Sequence, residues 1–447
     1  MKNSTPLRLG LAGFGTVGSG LVHIIEGSRE TIMARTGRDI RIAAILVRDT
    51  GRPRQTPLPE GAILTTSMDD LVANPDIDVV VEMMGGTDAA AVLVEKALLA
   101  GKHVVTANKA LLAESGNRFF ALAAEKKLHL GFEASVCGGI PIVETIKTSL
   151  AANNIISLAG ILNGTSNYIL SEMTTKGLSF EEALQGAREK GYAEDDPTLD
   201  VEGIDAAHKL ALLIRLCWGV EYPFEQLPVK GISSVAKVDI DSARTFGYRI
   251  KLIAQAKVHG DALEAAVFPA FVHESYLISK VGGAYNAVRI HGDASGVIFL
   301  HGKGAGDLPT GSSVAADVLA IARGATPNLL GYTSLPGLAK TLPREQVASP
   351  FYIRLLLTDQ PGVLRDVTSV MADNNISIAQ AVQKGTSEAP HKGLAGGQGK
   401  GAEIACITLL THEASLVNVE KALAALAATS FVHEAPVCYR VLAPQQN

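Results

Sequence analysis

The sequence predicts an α/β chain: a doubly wound parallel sheet, then a mixed α+β region, then a smaller tail with the order β-α-β-β-α-β. Three observations carry this. Strand-like and helix-like segments alternate over residues 7–130, the pattern of a parallel sheet. That alternation breaks down after Gly131. The final hundred residues then repeat strands and helices in the ferredoxin-like order. The size agrees: at about 150 residues per domain, 447 residues suggest three domains. With 47% hydrophobic and 19% charged residues, a large core is available and general disorder is excluded. Forty basic and 45 acidic side chains give a net charge of −5, which argues against binding driven by phosphate neutralisation. The 44 glycines point to many tight turns and close backbone approaches.

Taken in order, residues 7–11 form a short apolar strand, and Gly13, Gly15 and Gly18 follow it. Val17, Leu21, Val22 and Ile25 then recur at helical spacing. Further strands are expected at 40–47, 79–82 and 104–106, with helices at 89–99 and 110–125. Past Gly131 the helices fall at 141–150, 168–176, 180–190 and 203–218, and the strands at 156–162, 250–258, 263–269 and 296–300. A helix at 312–323 carries Val314, Val318 and Ile321 on one face. Residues 333–350, with three prolines, read as a linker. The tail has strands at 351–357, 377–384, 403–409 and 438–442, and helices at 362–374 and around Leu416, Val419, Leu423 and Leu426. Residues 385–401, glycine-rich and without apolar period, read as a mobile hairpin loop.

Gly13-Phe14-Gly15-Thr16-Val17-Gly18 fits G-x-G-x-x-G between a strand and a helix. The glycines permit a tight turn, close approach to a pyrophosphate and a close helix–strand crossing. The helix N-terminus adds unpaired N–H groups and a favourable dipole. A dinucleotide is therefore the expected cofactor, against the plainer reading of a packing turn. The second strand ends Val47-Arg48-Asp49, with Arg52 and Arg54 nearby. An arginine there accommodates the 2′-phosphate of NADP and an acidic residue favours NAD. Arg48 favours NADP, and Asp49 keeps NAD open.

Hydride transfer needs a proton donor or acceptor for the substrate oxygen. Residues 191–197 begin an acidic loop that runs through Asp200 into a helix carrying Asp205 and Lys209. These two are i, i+4 and share a helix face. On its own such a pair reads as a surface ion pair worth about 0.2–0.5 kcal/mol. The following Leu210-Ala211-Leu212-Leu213-Ile214 instead suggests a buried helix, where a lysine pKa moves toward working range. Acidic residues just before it suit an amino group.

Cys137, Cys217, Cys406 and Cys438 are dispersed, with no C-x-x-C pair, and read as buried thiols in a reducing compartment. The first residues show no signal peptide and no apolar run spans a membrane, so the expected location is cytoplasmic.

Dispersed motifs converge on one family. They are Gly13 to Gly18, Thr106-Ala107-Asn108-Lys109-Ala110, residues 133–141 (EASVCGGIP), residues 163–170 (NGTSNYIL), residues 191–205 with Lys209, and Gly302-Lys303-Gly304-Ala305-Gly306. The chain resembles homoserine dehydrogenase in the form with a C-terminal ACT regulatory domain, over essentially its whole length. The resemblance implies a Rossmann-like nucleotide domain (1–130, with 302–335 returning to it), an α+β substrate and dimerisation domain (131–301), a linker (336–350) and a ferredoxin-like ACT domain (351–447). It implies reversible, NAD(P)-dependent interconversion of L-homoserine and L-aspartate 4-semialdehyde in threonine and methionine biosynthesis. Lys209 matches the proton-transfer lysine, Asp205 stands beside it, and Lys109 matches a second lysine at the cofactor–substrate junction. Glu194 matches the residue that holds the substrate ammonium, Asp200 belongs to the same acidic site, and Thr165 would hydrogen-bond substrate. Glu133, through its carboxylate, and Val136, Gly138 and Ile140, through their carbonyls, match a sodium site. The resemblance also implies that the 302–306 turn closes over the cofactor, with Gly306 as its candidate contact. No covalent role is expected of Cys137, because hydride transfer to an aldehyde needs no nucleophile.

The tail motifs Asp359-Gln360-Pro361-Gly362-Val363-Leu364 and Asn375-Ile376-Ser377 match ACT modules, which pair and bind amino acids. The implied effector is threonine and the implied assembly a homo-oligomer, dimer or tetramer. A dimerisation module without ligand is the alternative for the tail. For the whole chain, the alternatives are a dehydrogenase of another amino-acid semialdehyde or a non-catalytic amino-acid or redox sensor on the same fold.

Overall fold

The computed structural model describes residues 5–327, 330–334, 337–384 and 404–442. The 385–401 segment lies outside them. Two compact units divide the chain: residues 1–164, 205–227 and 284–339 form the first, and 165–204, 228–283 and 340–447 the second.

The first unit contains a six-stranded parallel sheet in the spatial order Ile63–Thr65, Ile40–Leu46, Leu7–Ala12, Val79–Glu82, His103–Thr106 and Leu130–Gly131. Its central strands are mostly apolar because helices cover both faces, with Glu82 and Thr106 as buried polar exceptions. On one face, Leu9, Leu11, Leu21 and Ile25 pack with Val314, Val318 and Ile321. These last three lie on the helix Asp307–Ala322, so this late segment completes the nucleotide sheet's core. The expected start at 312 is five residues late. Pro309 falls in the first turn, where a missing N–H costs nothing. Close crossing of Asp307–Ala322 with Thr16–Gly27 depends on small residues. A Cβ on Gly20 would lie 2.1 Å from the Asp307 carbonyl oxygen. The expected helix at 141–150 is a short helix, Ile142–Glu144, running into a π-helical turn, Thr145–Ser149.

An antiparallel set, Ile155–Ile161, Tyr285–Gly292 and Gly296–Lys303, completes the strands near the first unit's chemistry. The middle strand, YNAVRIHG, escaped the sequence reading because Arg289 and His291 interrupt its apolar run.

In the second unit, Tyr248–His259 and Ala262–His273 form a long antiparallel hairpin. The tail has the expected β-α-β-β-α-β order: Phe351–Thr358, Val363–Asp373, Ile378–Lys384, Ile404–Thr411, Leu416–Ala427 and Val437–Leu442. Its last strand pairs in parallel with Ala262–His273, so the tail's sheet continues that of the hairpin. The helix Lys237–Thr245, also missed in the sequence, supplies buried Asp239 to the strand Phe351–Thr358. Cys137, Cys217 and Cys406 are buried as expected, whereas Cys438 is partly exposed.

Candidate active site

At the glycine turn, Gly13 adopts φ +109°, and a Cβ there would stand 2.6 Å from the Met83 carbonyl. A Cβ on Gly18 would lie 2.4 Å from the Gly13 carbonyl. Gly15 meets nothing within 4 Å and caps the helix Thr16–Gly27. The outer glycines thus serve packing, and the middle one leaves the helix N-terminus open to an anion. Arg48 is exposed just past the strand Ile40–Leu46. Arg54, which sequence reasoning gave no separate role, lies 5.9 Å over the Phe14 ring and anchors to the Asp49 carbonyl.

Lys109 opens the helix Lys109–Lys126, whose N-cap Asn108 accepts from the Leu111 N–H. Asp205 and Lys209 occupy the first turns of Ile204–Trp218, a helix buried on nearly all sides. Their side chains meet in the first unit. Lys209 Nζ lies 2.8 Å from Asp205 Oδ2, and Lys109 Nζ lies 2.9 Å from Asp205 Oδ1. Lys209 also donates to the Leu162 carbonyl at 2.6 Å, and Asn163 Nδ2 donates to Asp205 Oδ2 at 2.8 Å. Asp205 and Lys209 are 5% and 8% exposed, so theirs is no surface pair. Burial pushes the Asp205 carboxyl up, but the two ammonium groups reverse this and hold it well below the usual carboxylate range. The cluster is therefore one anion shared by two cations, with Lys109 the more exposed of the pair.

In the second unit, the acidic loop is pinned at both ends by consecutive residues of the helix Gly164–Lys176. Thr165 Oγ1 donates to the Tyr192 carbonyl at 2.7 Å, and Ser166 Oγ to the Asp200 carbonyl at 2.8 Å. Thr165 has spent its proton on this bond, so toward a ligand its oxygen acts as an acceptor. Glu194 is exposed on the loop, and Asp200 is half-buried.

In the first unit, Glu133 is buried and its carboxylate accepts from the Val143 and Glu144 N–H groups, both at 2.8 Å. Burial pushes its pKa up to about 6 against those two bonds. The Gly138 carbonyl accepts from Ser313 Oγ at 2.6 Å, and the Ile140 carbonyl from the Ile142 N–H at 2.8 Å. Both Glu133 carboxylate oxygens and the Gly138 and Ile140 carbonyls thus already accept protein hydrogen bonds. Oxygens of this kind suit a hard cation such as sodium, and a cation beside Glu133 would offset the charge that burial disfavours. Among the described residues, no cluster of three His, Cys, Asp or Glu could hold a metal. Cys137 is buried within this segment with its thiol pushed up to about 11 by desolvation, so it is inert. Gly306, at φ +130°, caps the helix Asp307–Ala322. The preceding turn presses on the segment around Gly138, where a Cβ would lie 2.4 Å from the Gly304 carbonyl oxygen.

A parallel sheet with an open glycine turn and a buried lysine–carboxylate cluster define a nucleotide-dependent oxidoreductase. The comparisons specify the class further. The homoserine dehydrogenase family profile matches residues 141–319, its NAD-binding domain residues 13–133, and an ACT domain residues 351–428. The homoserine dehydrogenase of Neisseria gonorrhoeae is 40% identical over 436 residues, 96% of this chain and 97% of that protein. A crystal structure of the enzyme from Thiobacillus denitrificans superimposes with a TM-score of 0.90 at 40% identity, covering 98% of each chain. A hyperthermophilic archaeal homoserine dehydrogenase solved in complex with NADPH matches at 26% identity and a TM-score of 0.61, over 73% of this chain and all of that one. The chain belongs to the homoserine dehydrogenase family, oxidoreductases acting on a CH–OH group, in the form that carries an ACT domain. Among the described residues, no helix is long and apolar enough to cross a membrane.

Proposed function

We propose that the protein interconverts L-homoserine and L-aspartate 4-semialdehyde with NADP as the preferred cofactor, and that Lys209 moves the proton. The observation that carries this is the buried Lys209–Asp205 contact at 2.8 Å, with Lys109 on the other carboxylate oxygen. The nicotinamide supplies hydride when bound. In the reducing direction the Lys209 ammonium donates its proton to the oxygen of the former aldehyde as negative charge develops there. Asp205 favours the charged, aimed form of that lysine, and the neutral amine left after transfer regains its proton from solvent. Lys109, at the start of its helix, adds positive charge near the carboxyl ends of the parallel strands, where ligands of such sheets bind.

Glu194 and Asp200 offer carboxylates to the substrate ammonium, and Thr165 offers its hydroxyl oxygen. The glycine turn Gly13, Phe14, Gly15, Thr16, Val17 and Gly18 receives the pyrophosphate, Gly306 closes on the cofactor, and Arg48 takes the 2′-phosphate. The NADPH complex of the archaeal relative supports this cofactor choice. Glu133 with the carbonyls of Val136, Gly138 and Ile140 holds sodium. The ACT domain binds an amino-acid effector, threonine, within a homo-oligomer, and the chain divides after residues 130, 301, 335 and 350 as the motifs imply.

The test is oxidation of NADPH by the purified protein with aspartate 4-semialdehyde, with and without threonine. Turnover with NADPH exceeding that with NADH, and inhibition by threonine, are expected. No turnover with either cofactor would overturn the enzymatic reading.

A further inference from the structure

Two residues in sequence, Leu162 and Asn163, both serve the Lys209 head group. The Leu162 carbonyl accepts from Lys209 Nζ at 2.6 Å, and Asn163 Nδ2 donates to Asp205 Oδ2, the oxygen that pairs with Lys209. They follow directly on the strand Ile155–Ile161, so a rigid element fixes their position. Asn286, on the neighbouring strand Tyr285–Gly292, donates through Nδ2 to the same Leu162 carbonyl at 3.0 Å. That carbonyl therefore receives two donors, one on each lone pair. Asn163 and Asn286 are 4% and 0% exposed. Leaving a buried amide's bond unmade costs about 1–3 kcal/mol. Asn286 makes its bond through Nδ2, while its Oδ1 is buried with no hydrogen-bond partner among the described residues. Asn286 has a second contact of consequence. A Cβ on Gly304 would lie 2.3 Å from its side-chain amide, so the 302–306 turn rests its bare backbone on Asn286.

We infer that Asn163 and Asn286 are positioning residues for proton transfer, Asn163 fixing the carboxylate that pairs with Lys209 and Asn286 fixing the carbonyl that does so and bracing the 302–306 turn. The inference rests on the reading that Lys209 carries the proton. Lysine is a flexible point charge with rotatable donors, unlike the rigid fork of arginine. Its aim must come from its acceptors. Asp205 Oδ2 and the Leu162 carbonyl supply two directions, and each is held by one asparagine amide. Misplacement of a reacting group by about 1 Å costs on the order of 100-fold in rate.

The experiment is a double-mutant cycle on the full chain, reading kcat, KM for each substrate and the pH profile of kcat. Asn163→Ala and Asn286→Ala are expected to lose about 10–100-fold in kcat. KM for NADPH should stay within twofold in Asn163→Ala and rise in Asn286→Ala, through the turn. In a Lys209→Ala background, Asn163→Ala should lose nothing further, because there is no ammonium left to aim. A merely structural residue would add its own loss there, and that result would overturn the inference. If Asn163→Ala does not fold, Asn163→Asp keeps the shape, removes the donor and adds negative charge beside Lys209. The titration limb of kcat that belongs to Lys209 should then move to higher pH. An unmoved profile with wild-type kcat would also overturn the inference. Should Lys209→Ala itself stay active, the proton-transfer reading fails instead, so the two failures are distinguishable.

Discussion

Two buried carboxylates are neutralised in different ways. In the first unit, Asp205 faces two lysines, at 2.8 and 2.9 Å. In the second, Asp239 receives Arg354 through Nε at 2.8 Å and Nη2 at 3.4 Å, with the Tyr352 hydroxyl at 3.0 Å. Both are cut off from water, so both charges depend on their partners. The difference lies in the cation. A lysine can give up its proton where its surroundings make that favourable, and arginine cannot. The first arrangement can therefore do acid–base work, whereas the second can only hold structure. Its place fits that: Asp239 and Arg354 tie the helix Lys237–Thr245 to the first strand of the ACT sheet. Phe271, Tyr352 and Tyr439 stack in the same region, with Phe271 and Tyr352 centroids 4.1 Å apart.

The same isosteric change at the two sites breaks the comparison most directly. Asp205→Asn should lose about 100–10,000-fold in kcat, the span of general acid–base catalysis. Asp239→Asn should leave kcat per folded molecule near wild type yet destabilise by about 3–5 kcal/mol, because a buried arginine is left unpaired. Denaturant melts should rank Asp239→Asn below Asp205→Asn, since Lys209 can relieve its own burial by deprotonating. The opposite rank would remove the distinction drawn between the two cations.

A smaller effect is expected at the cofactor. Arg48→Ala should weaken NADPH by roughly tenfold relative to NADH, the loss of one charged hydrogen bond. An unchanged ratio of the two dissociation constants would refute the assignment of the 2′-phosphate to Arg48.

The smallest effect sharpens the comparison with a third case, a buried cation with no carboxylate. Lys251 Nζ donates to Asn167 Oδ1 and the Val281 carbonyl, two acceptors that a neutral amine satisfies. Burial lowers its pKa to about 7, and Arg249 pushes the same way. Between pH 7 and the unfolded value near 10.4 the unfolded chain holds the extra proton, so stability rises with pH across that window. Lys251→Met should flatten this rise in a series of thermal melts, and an unchanged pH slope would return Lys251 to an ordinary pKa.

Periodic features were legible in the sequence. The parallel strands, the glycine turn and the ACT order are written in apolar spacing and turn residues. Tyr285–Gly292 was not, because charged and polar residues interrupt it, nor was Lys237–Thr245, only nine residues long. At the candidate site, Asp205 and Lys209 were visible as an i, i+4 pair. Their meeting with Lys109 follows from folding across nearly a hundred residues, and no local pattern records it. Asn163 stood inside a recognised motif without a role, and Asn286 lay on the unread strand. An amide's function is set by what it touches, so both emerged only from the hydrogen bonds.

The central claim is that Lys209 carries the proton, and kcat of Lys209→Ala measured beside its NADPH dissociation constant tests it most directly. The account predicts a kcat reduced by at least about 100-fold with cofactor affinity unchanged. A kcat equal to wild type would contradict it.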